Sequence, residues 1–246
     1  AGGTATINLQ VGTSAALVRD RIISWATYGT SSRTASDFAR INTSNRITTA
    51  ARVTADSNND VSTWTAAANL TEFVGTGATS SVAYFGTLAS SLSINTLRFD
   101  TMTDSTVALG GNTLTIAGDG VAGGVLVSTA TGAASKSITG GTISNSTDLV
   151  FHQYGQGNLT VGAAITGTGS VTISGPSTTL PSQFNTTGTV KFTGANTYAG
   201  PTYISGAVLE IATTSALGTN PAAVTNAQVT LNGGTLRWTG GVESLG

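Results

Sequence analysis

The side chains able to do chemistry are few, and their spacing does not favour it. Two close acidic pairs occur, Asp56 with Asp60 and Asp100 with Asp104. Glycoside hydrolysis needs paired carboxyls roughly 5–9.5 Å apart, one to protonate the leaving oxygen and one to attack or to activate water. Both pairs lie among Asn, Ser and Thr, where Asp is favoured because it hydrogen-bonds its own backbone, so all four are expected to be turn residues. Polysaccharide lysis would also call for a Lys, Arg or His as base; Lys136, Lys191, Arg237 and His152 are the candidates. His152 is the single histidine and there is no cysteine, so no second imidazole or thiolate can join it on a metal. Gly118-Asp119-Gly120 lacks the serial Gly-Gly-x-Gly-x-Asp of calcium-binding coils. Gly167-Thr168-Gly169 is followed by no Lys-Ser/Thr pair, as a phosphate loop would be. The expectation is a protein with no catalytic residues, no metal and no cofactor.

Composition points the same way. Only 9% of the 246 residues are charged, 10 Lys and Arg against 11 Asp and Glu, for a net charge of −1; an ordinary soluble domain carries roughly 25%. Arg19, Arg21, Arg33, Arg40, Arg46 and Arg52 crowd the first quarter, but Asp20, Asp37, Asp56 and Asp60 accompany them. Without a surplus of cations, nucleic-acid binding is not expected. No stretch approaches the ~20 apolar residues of a membrane helix, and AGGTATINLQ has neither the basic nor the apolar region of a signal peptide. This segment is therefore not expected to insert into a membrane. Absence of cysteine is common in exported bacterial β-rich proteins.

The positioning elements are legible as strands. An apolar–polar–apolar triplet recurs at Leu97-Arg98-Phe99, Leu114-Thr115-Ile116, Leu159-Thr160-Val161, Val171-Thr172-Ile173, Val190-Lys191-Phe192, Leu209-Glu210-Ile211, Val229-Thr230-Leu231 and Leu236-Arg237-Trp238. Period-two alternation sends the outer two residues to one face and the middle one to the other, which predicts one dry face and one wet face. Turn formers such as Gly110-Gly111-Asn112, Gly140-Gly141 and Asn232-Gly233-Gly234 separate the triplets. Short strands so punctuated suit a sandwich or a parallel β-solenoid. Starts at Val171, Val190, Val208 and Val229, about 18–21 residues apart, favour the solenoid at one coil per interval. The class is all-β.

Residues 1–93 read differently. Ala15 to Ala26 and Trp64 to Phe73 fit either a strand or a short helix, and Ser36 to Arg40 resembles a helical turn. An irregular N-terminal cap or set of first coils is expected there, with the regular solenoid over 94–246, because a solenoid end must cover its core with an atypical element.

The stretch VKFTGANTYAGPTYISGAVLEI, residues 190–211, closely resembles the strand repeat associated with autotransporter passenger regions. The residues that carry the likeness are Gly194, Ala195, Asn196, Thr197 and Tyr198, then Gly200, the Thr-rich strand Thr202-Tyr203-Ile204, and Gly206 and Leu209 leading the next strand. Segments from Ile94 to about residue 241 are similar to the same repeat in large bacterial surface proteins. Pro201 departs from the pattern where a small residue is usual; it fixes the local backbone and removes a donor. The resemblance implies a right-handed parallel β-helix outside the cell or on its surface, with a structural or adhesive role more often than a catalytic one.

Two further expectations concern partners. A surface with little charge offers little self-repulsion, and a solenoid end exposes strand edges that pair with another copy, so filaments or higher oligomers are expected beside cell-surface or polysaccharide contact. The alternative is a carbohydrate-binding or carbohydrate-cleaving β-helix, for which Trp25, Trp64, Tyr198, Tyr203 and Trp238 are the aromatic candidates, with Tyr198 and Trp238 expected to pack structurally.

Overall fold

A computed structural model of the chain describes residues 22–29, 37–41, 47–49, 58–66, 69–71, 82–116, 122–176, 188–219 and 228–241. Every triplet named above is a strand. The first strands, β1 (Ile22–Tyr28), β2 (Asp37–Ile41) and β3 (Ile47–Thr49), form an antiparallel sheet. Of the helical turn expected over Ser36 to Arg40, Ser36 lies outside the described residues and Asp37 to Arg40 belong to β2, which pairs on both edges and buries Phe38; tertiary pairing overrides a weak local preference.

The parallel ladder begins with β4 (Asn69–Thr71), β5 (Leu92–Ile94) and β6 (Thr96–Phe99). Three coils follow, each giving three strands: β7 (Ser105–Ala108), β8 (Thr113–Ile116) and β9 (Ala122–Val127); β10 (Lys136–Thr139), β11 (Thr142–Asn145) and β12 (Asp148–Gln153); β13 (Leu159–Val161), β14 (Ala164–Gly167) and β15 (Val171–Ser174). Beyond them come β16 (Val190–Phe192), β17 (Thr202–Ser205), β18 (Val208–Ile211), β19 (Val229–Asn232) and β20 (Thr235–Trp238). They stack into three parallel sheets, in the orders β7-β10-β13-β16-β18-β20, β5-β8-β11-β14 and β4-β6-β9-β12-β15-β17-β19. The molecule is a β-solenoid, as the triplets predict.

The coil length differs from the interval read off the sequence. Val190 and Leu209 lie in the first sheet, whereas Val171 and Val229 lie in the third, so that series mixed two sides of the coil. Within the first sheet the stacked residues are Ser105, Lys136, Leu159, Val190, Leu209 and Leu236, separated by 19 to 31 residues. Turns vary in length more than the strands, which run from 3 to 6 residues in the parallel ladder, because only the strands must match the rung below.

Stacking in register aligns the inward residues into columns. Leu70, Leu97, Val125, Phe151, Ile173 and Ile204 form one of them, each at most 1% exposed. Val107, Ile138, Val161, Phe192 and Ile211 form another, and Phe151 meets Phe192 edge to face across the core at 5.5 Å. Thr160, Thr172, Lys191, Glu210 and Thr230 occupy the outward register and are only partly buried, as expected. Val229 and Leu231 hold inward positions but are open, Leu231 to 55%, because no described strand lies beyond β19. Glycine is obligatory at the corner between β8 and β9 of one coil, where a Cβ on Gly123 would stand 2.0 Å from the Ile116 carbonyl oxygen.

Truncating a column residue leaves a cavity. Leu159→Ala is expected to cost about 2–5 kcal/mol in urea denaturation, whereas Lys191→Thr, which loses a partly exposed ion pair to Glu210 while Arg237 still flanks that carboxylate, is expected to change stability by no more than about 1 kcal/mol.

Candidate functional site

The coils place the candidate acids and bases of the sequence in separate structural roles. Asp56 lies outside the described residues. Asp60 caps the 3-10 turn Val61–Thr63, its Oδ1 accepting from the Ser62 amide at 3.0 Å and the Ser62 hydroxyl at 2.6 Å. Asp104 accepts from the Ser135 amide of the next coil at 2.8 Å. Asp100 is buried at the end of β6, where its carboxylate accepts from Arg98 and from the Ser128 hydroxyl. Burial pushes its pKa above the ordinary carboxylate range, with the Arg98 charge and these hydrogen bonds pulling the other way. Asp119 lies outside the described residues. Among the described residues, no three His, Cys, Asp or Glu gather as a metal site would need.

The candidate bases have structural partners. Lys191 and Arg237 flank Glu210 on the outward face of the first sheet, at 3.0 and 3.2 Å. The Lys191 hydrogen bond, ahead of the Arg237 contact, holds the Glu210 carboxyl below its usual range. Lys136 departs from what a lysine in a strand suggests, since it takes an inward slot between Ser105 and Leu159 and is 1% exposed. Its ammonium donates to the Thr101 and Thr103 carbonyls at 2.9 and 2.7 Å and to the Thr101 hydroxyl at 3.1 Å, and it lies 5.8 Å from the Phe99 ring centre. His152 is 2% exposed on the outward side of β12, edge-on to Phe38.

The repeat motif is brought together, and what it does is join rungs. The segment from Ala195 to Ala199 runs beside β14 through Thr197 and Ala199 amides donating to the Ile165 and Gly167 carbonyls at 2.8 and 2.9 Å. Asn196, 4% exposed, completes that rung with its side chain: Oδ1 accepts from the Ile165 amide at 2.8 Å, and Nδ2 donates to the Ala216 carbonyl at 2.6 Å. Its own amide donates to the Ser215 carbonyl at 2.9 Å. One asparagine thus links three successive rungs, with its side-chain oxygen, side-chain nitrogen and backbone amide each satisfied where an unpaired group is costly. Tyr198 is fully buried, and its hydroxyl lies 2.6 Å from that of Thr202; burial pushes the phenol up to about 12.

The remaining motif residues set the spacing. Cβ atoms on Gly194 and Gly200 would approach the Ala163 and Gly169 carbonyls to 2.7 and 2.4 Å. Ala195 and Thr197 face solvent, Gly206 turns the chain at φ 72°, and Leu209 fills the core. Of the aromatic candidates, Trp64 and Tyr198 are buried, and Tyr203 and Trp238 are 38% and 41% exposed. Trp238 was expected to pack; it does stand inward over Ile211 in the last described rung, but nothing described covers it. The Trp25 side chain lies outside the described residues.

Sequence reasoning missed the inward Lys136 and the ion pair between Asp37 and Arg98 at 2.8 Å. The triplet spacing of Lys136 and Ile138 was a usable signal for the first; for the second, residues 61 positions apart left none.

No family model matches the chain, and no solved structure matches it. The adhesin BmaC autotransporter of Brucella suis biovar 1 is 31% identical over 174 residues, which is 67% of this chain and 5% of that protein. The chain therefore spans a small part of the length of the relative it matches. That similarity and the solenoid together fit an autotransporter-type β-helix protein.

Two consequences of the motif geometry are measurable. Asn196→Ala orphans an amide and a carbonyl, and should cost roughly 1–3 kcal/mol for each buried group left unpaired. Tyr198 is neutral in the fold up to about 12, whereas an unfolded tyrosine ionises near ~10. Its contribution is therefore complete below that lower value and is lost as pH rises between the two. Tyr198→Phe should flatten that alkaline loss in denaturation experiments run across the same range.

Proposed function

We propose that this chain is a stretch of an extracellular, surface-displayed adhesin, a passenger-type solenoid that works by presenting a long regular face rather than by catalysis. The observation that carries the reading is the use of the repeat motif. Asn196, Tyr198 and the motif glycines are spent on rung-to-rung bonding, which extends a rod, and the 31% identical relative is named an adhesin autotransporter. The mixed, weakly charged outward columns suit contact with cell-surface or polysaccharide material. Purified chain coupled to beads should bind host cells or a surface polysaccharide above beads carrying an unrelated β-rich protein. It should release no new reducing ends from a polysaccharide panel, and Asp104→Asn and His152→Gln should leave adherence intact. Cleavage abolished by either substitution would overturn the non-enzymatic reading.

Self-association is part of the same proposal. Val229, Leu231, Leu236 and Trp238 occupy inward columns yet are open in part to solvent, and β19 and β20 are the outer strands of their sheets. Apolar side chains beside an unpaired strand edge favour pairing with another copy. Leu231→Lys combined with Trp238→Lys should shift sedimentation toward monomer without changing the β-sheet circular dichroism. An unchanged distribution would remove self-association from the proposal.

A second reading, carbohydrate binding through exposed aromatics, is favoured by Tyr203, which is 38% exposed on the outward register of β17. Loss of polysaccharide binding on Tyr203→Ala, with cell adherence retained, would support it.

A further inference from the structure

Asparagine side chains repeatedly join the rungs of this solenoid. Asn112 donates to the Leu88 carbonyl at 2.7 Å and Asn145 to the Ser170 carbonyl at 3.0 Å, while Asn158 accepts from the Thr189 amide at 3.0 Å, as Asn196 does from the Ile165 amide. Asn232 is different. It ends β19 on the outward register, one position after the inward Leu231. It is exposed, and its side-chain amide makes no hydrogen bond among the described residues. Its main chain is held, the carbonyl accepting from the Gly206 amide at 3.1 Å. The next residue is Gly233, at φ 68° and with open space where a Cβ would stand. Asn232-Gly233 is the single Asn-Gly step in the 246 residues.

We propose that Asn232-Gly233 is a site of spontaneous deamidation, a self-modification that places a carboxylate on the outer face of the third sheet and, in one of its two products, lengthens the backbone at the corner into β20. This goes beyond the adhesive role and stands or falls separately from it.

The reaction needs an asparagine side chain free to reach its own backbone and an accessible nitrogen on the following residue. A side chain engaged as that of Asn196 is meets neither need, because it is held by its partners and Thr197 carries a side chain beside the nitrogen. Asn232 is not held, and Gly233 brings no side chain and the backbone freedom that goes with its absence. The Gly233 nitrogen loses its proton and bonds to the Asn232 amide carbon. The side-chain carbon–nitrogen bond breaks, and ammonia leaves with that proton. Water then adds to the succinimide so formed. Opening on one side restores the ordinary chain with an aspartate; opening on the other leaves isoaspartate, whose main chain runs through the side-chain carbon and is longer by a methylene. The balance is water in and ammonia out, with no oxidation or reduction.

Either product puts charge where the face carries none. The antiparallel sheet lies over β9 and β12, and the part of the face beyond it presents Thr172, Ser174, Tyr203, Ser205 and Thr230, all uncharged. A carboxylate there alters which charged surfaces the face attracts or repels. The isoaspartyl product acts on the fold as well. β20 stacks on β18 residue for residue, Leu236 on Leu209, Arg237 on Glu210 and Trp238 on Ile211. Only Gly233 and Gly234 separate β20 from β19, so an added methylene in so short a corner works against that register.

Peptide mass spectrometry with enzymatic labelling of isoaspartate, on folded full chain kept in mildly alkaline buffer, tests the site. The Asn232 peptide should convert at least about tenfold faster than those of Asn112, Asn158 and Asn196, each followed by a residue with a side chain. It should yield both aspartate and isoaspartate, slow down in mildly acidic buffer where the attacking nitrogen keeps its proton, and be suppressed by Asn232→Gln, whose longer side chain must close a larger ring. Hydrogen exchange should show β20 losing protection in the aged wild type but not in freshly made Asn232→Asp, which carries the charge on an ordinary backbone. No conversion at Asn232, or conversion of Asn112 at an equal rate, would overturn the site. Equal protection of β20 in the aged chain and in Asn232→Asp would overturn the effect of the lengthened corner.

Discussion

Everything in this molecule depends on the parallel, in-register hydrogen bonding of one rung to the next. A strand of three or four residues cannot bury its own apolar face, and a rung is stable only because neighbours on both sides cover it. That requirement fixes which positions must be apolar, since each inward residue stacks on its equivalents above and below. It also explains why the loops between strands vary in length more than the strands do. A longer turn costs little closure entropy, but a strand one residue out of register would send its apolar side chains to solvent.

The same constraint makes polar groups inside the rungs expensive, and the molecule meets that cost in a few specific ways. Asn196 stands in for backbone, completing a rung where the chain between β16 and β17 is not itself a strand. Lys136 brings a charge into an inward column and is met by two carbonyls and a hydroxyl from the turn of the preceding coil. Asp100 is buried beside Arg98 and Ser128, and Arg98 in turn reaches Asp37 on the antiparallel sheet. In each case a turn residue of one coil satisfies a group of the next, so the polar interior ties coils together as the apolar columns do. The motif that looks most like a functional signature serves this bonding, which is why the functional reading rests on the outer faces and not on a pocket.

Those faces are not equivalent. The first sheet carries an alternating ladder of Lys191, Glu210 and Arg237. The second is lined on its outward register by hydroxyls such as Thr115, Ser144 and Thr166. The third is partly roofed by the β1–β3 sheet. Among the described residues one flank is covered by a second sheet while the other two carry charged and hydroxyl columns, so the solenoid presents different surfaces without any change in its core.

The sequence by itself determined the class of fold and the dry and wet faces of each triplet, because period-two alternation and glycine-rich turns are local properties that survive in any parallel stack. Leu159, Val161, Phe192 and Leu209 were readable as core for that reason, and the motif around Asn196 as a strand repeat. Only the tertiary structure decided which triplets share a sheet: Val171 and Val190 look alike in sequence, yet they lie in different sheets, since turn lengths and not strand patterns set the path around the core. It alone placed Lys136 inside, where the acceptors that make this possible lie 33 to 35 residues earlier, and it made Asp37 to Arg40, within an expected helical turn, part of a strand. It alone buried His152, since the side chains that cover it come from more than a hundred residues upstream and no local pattern can announce a contact made at that distance.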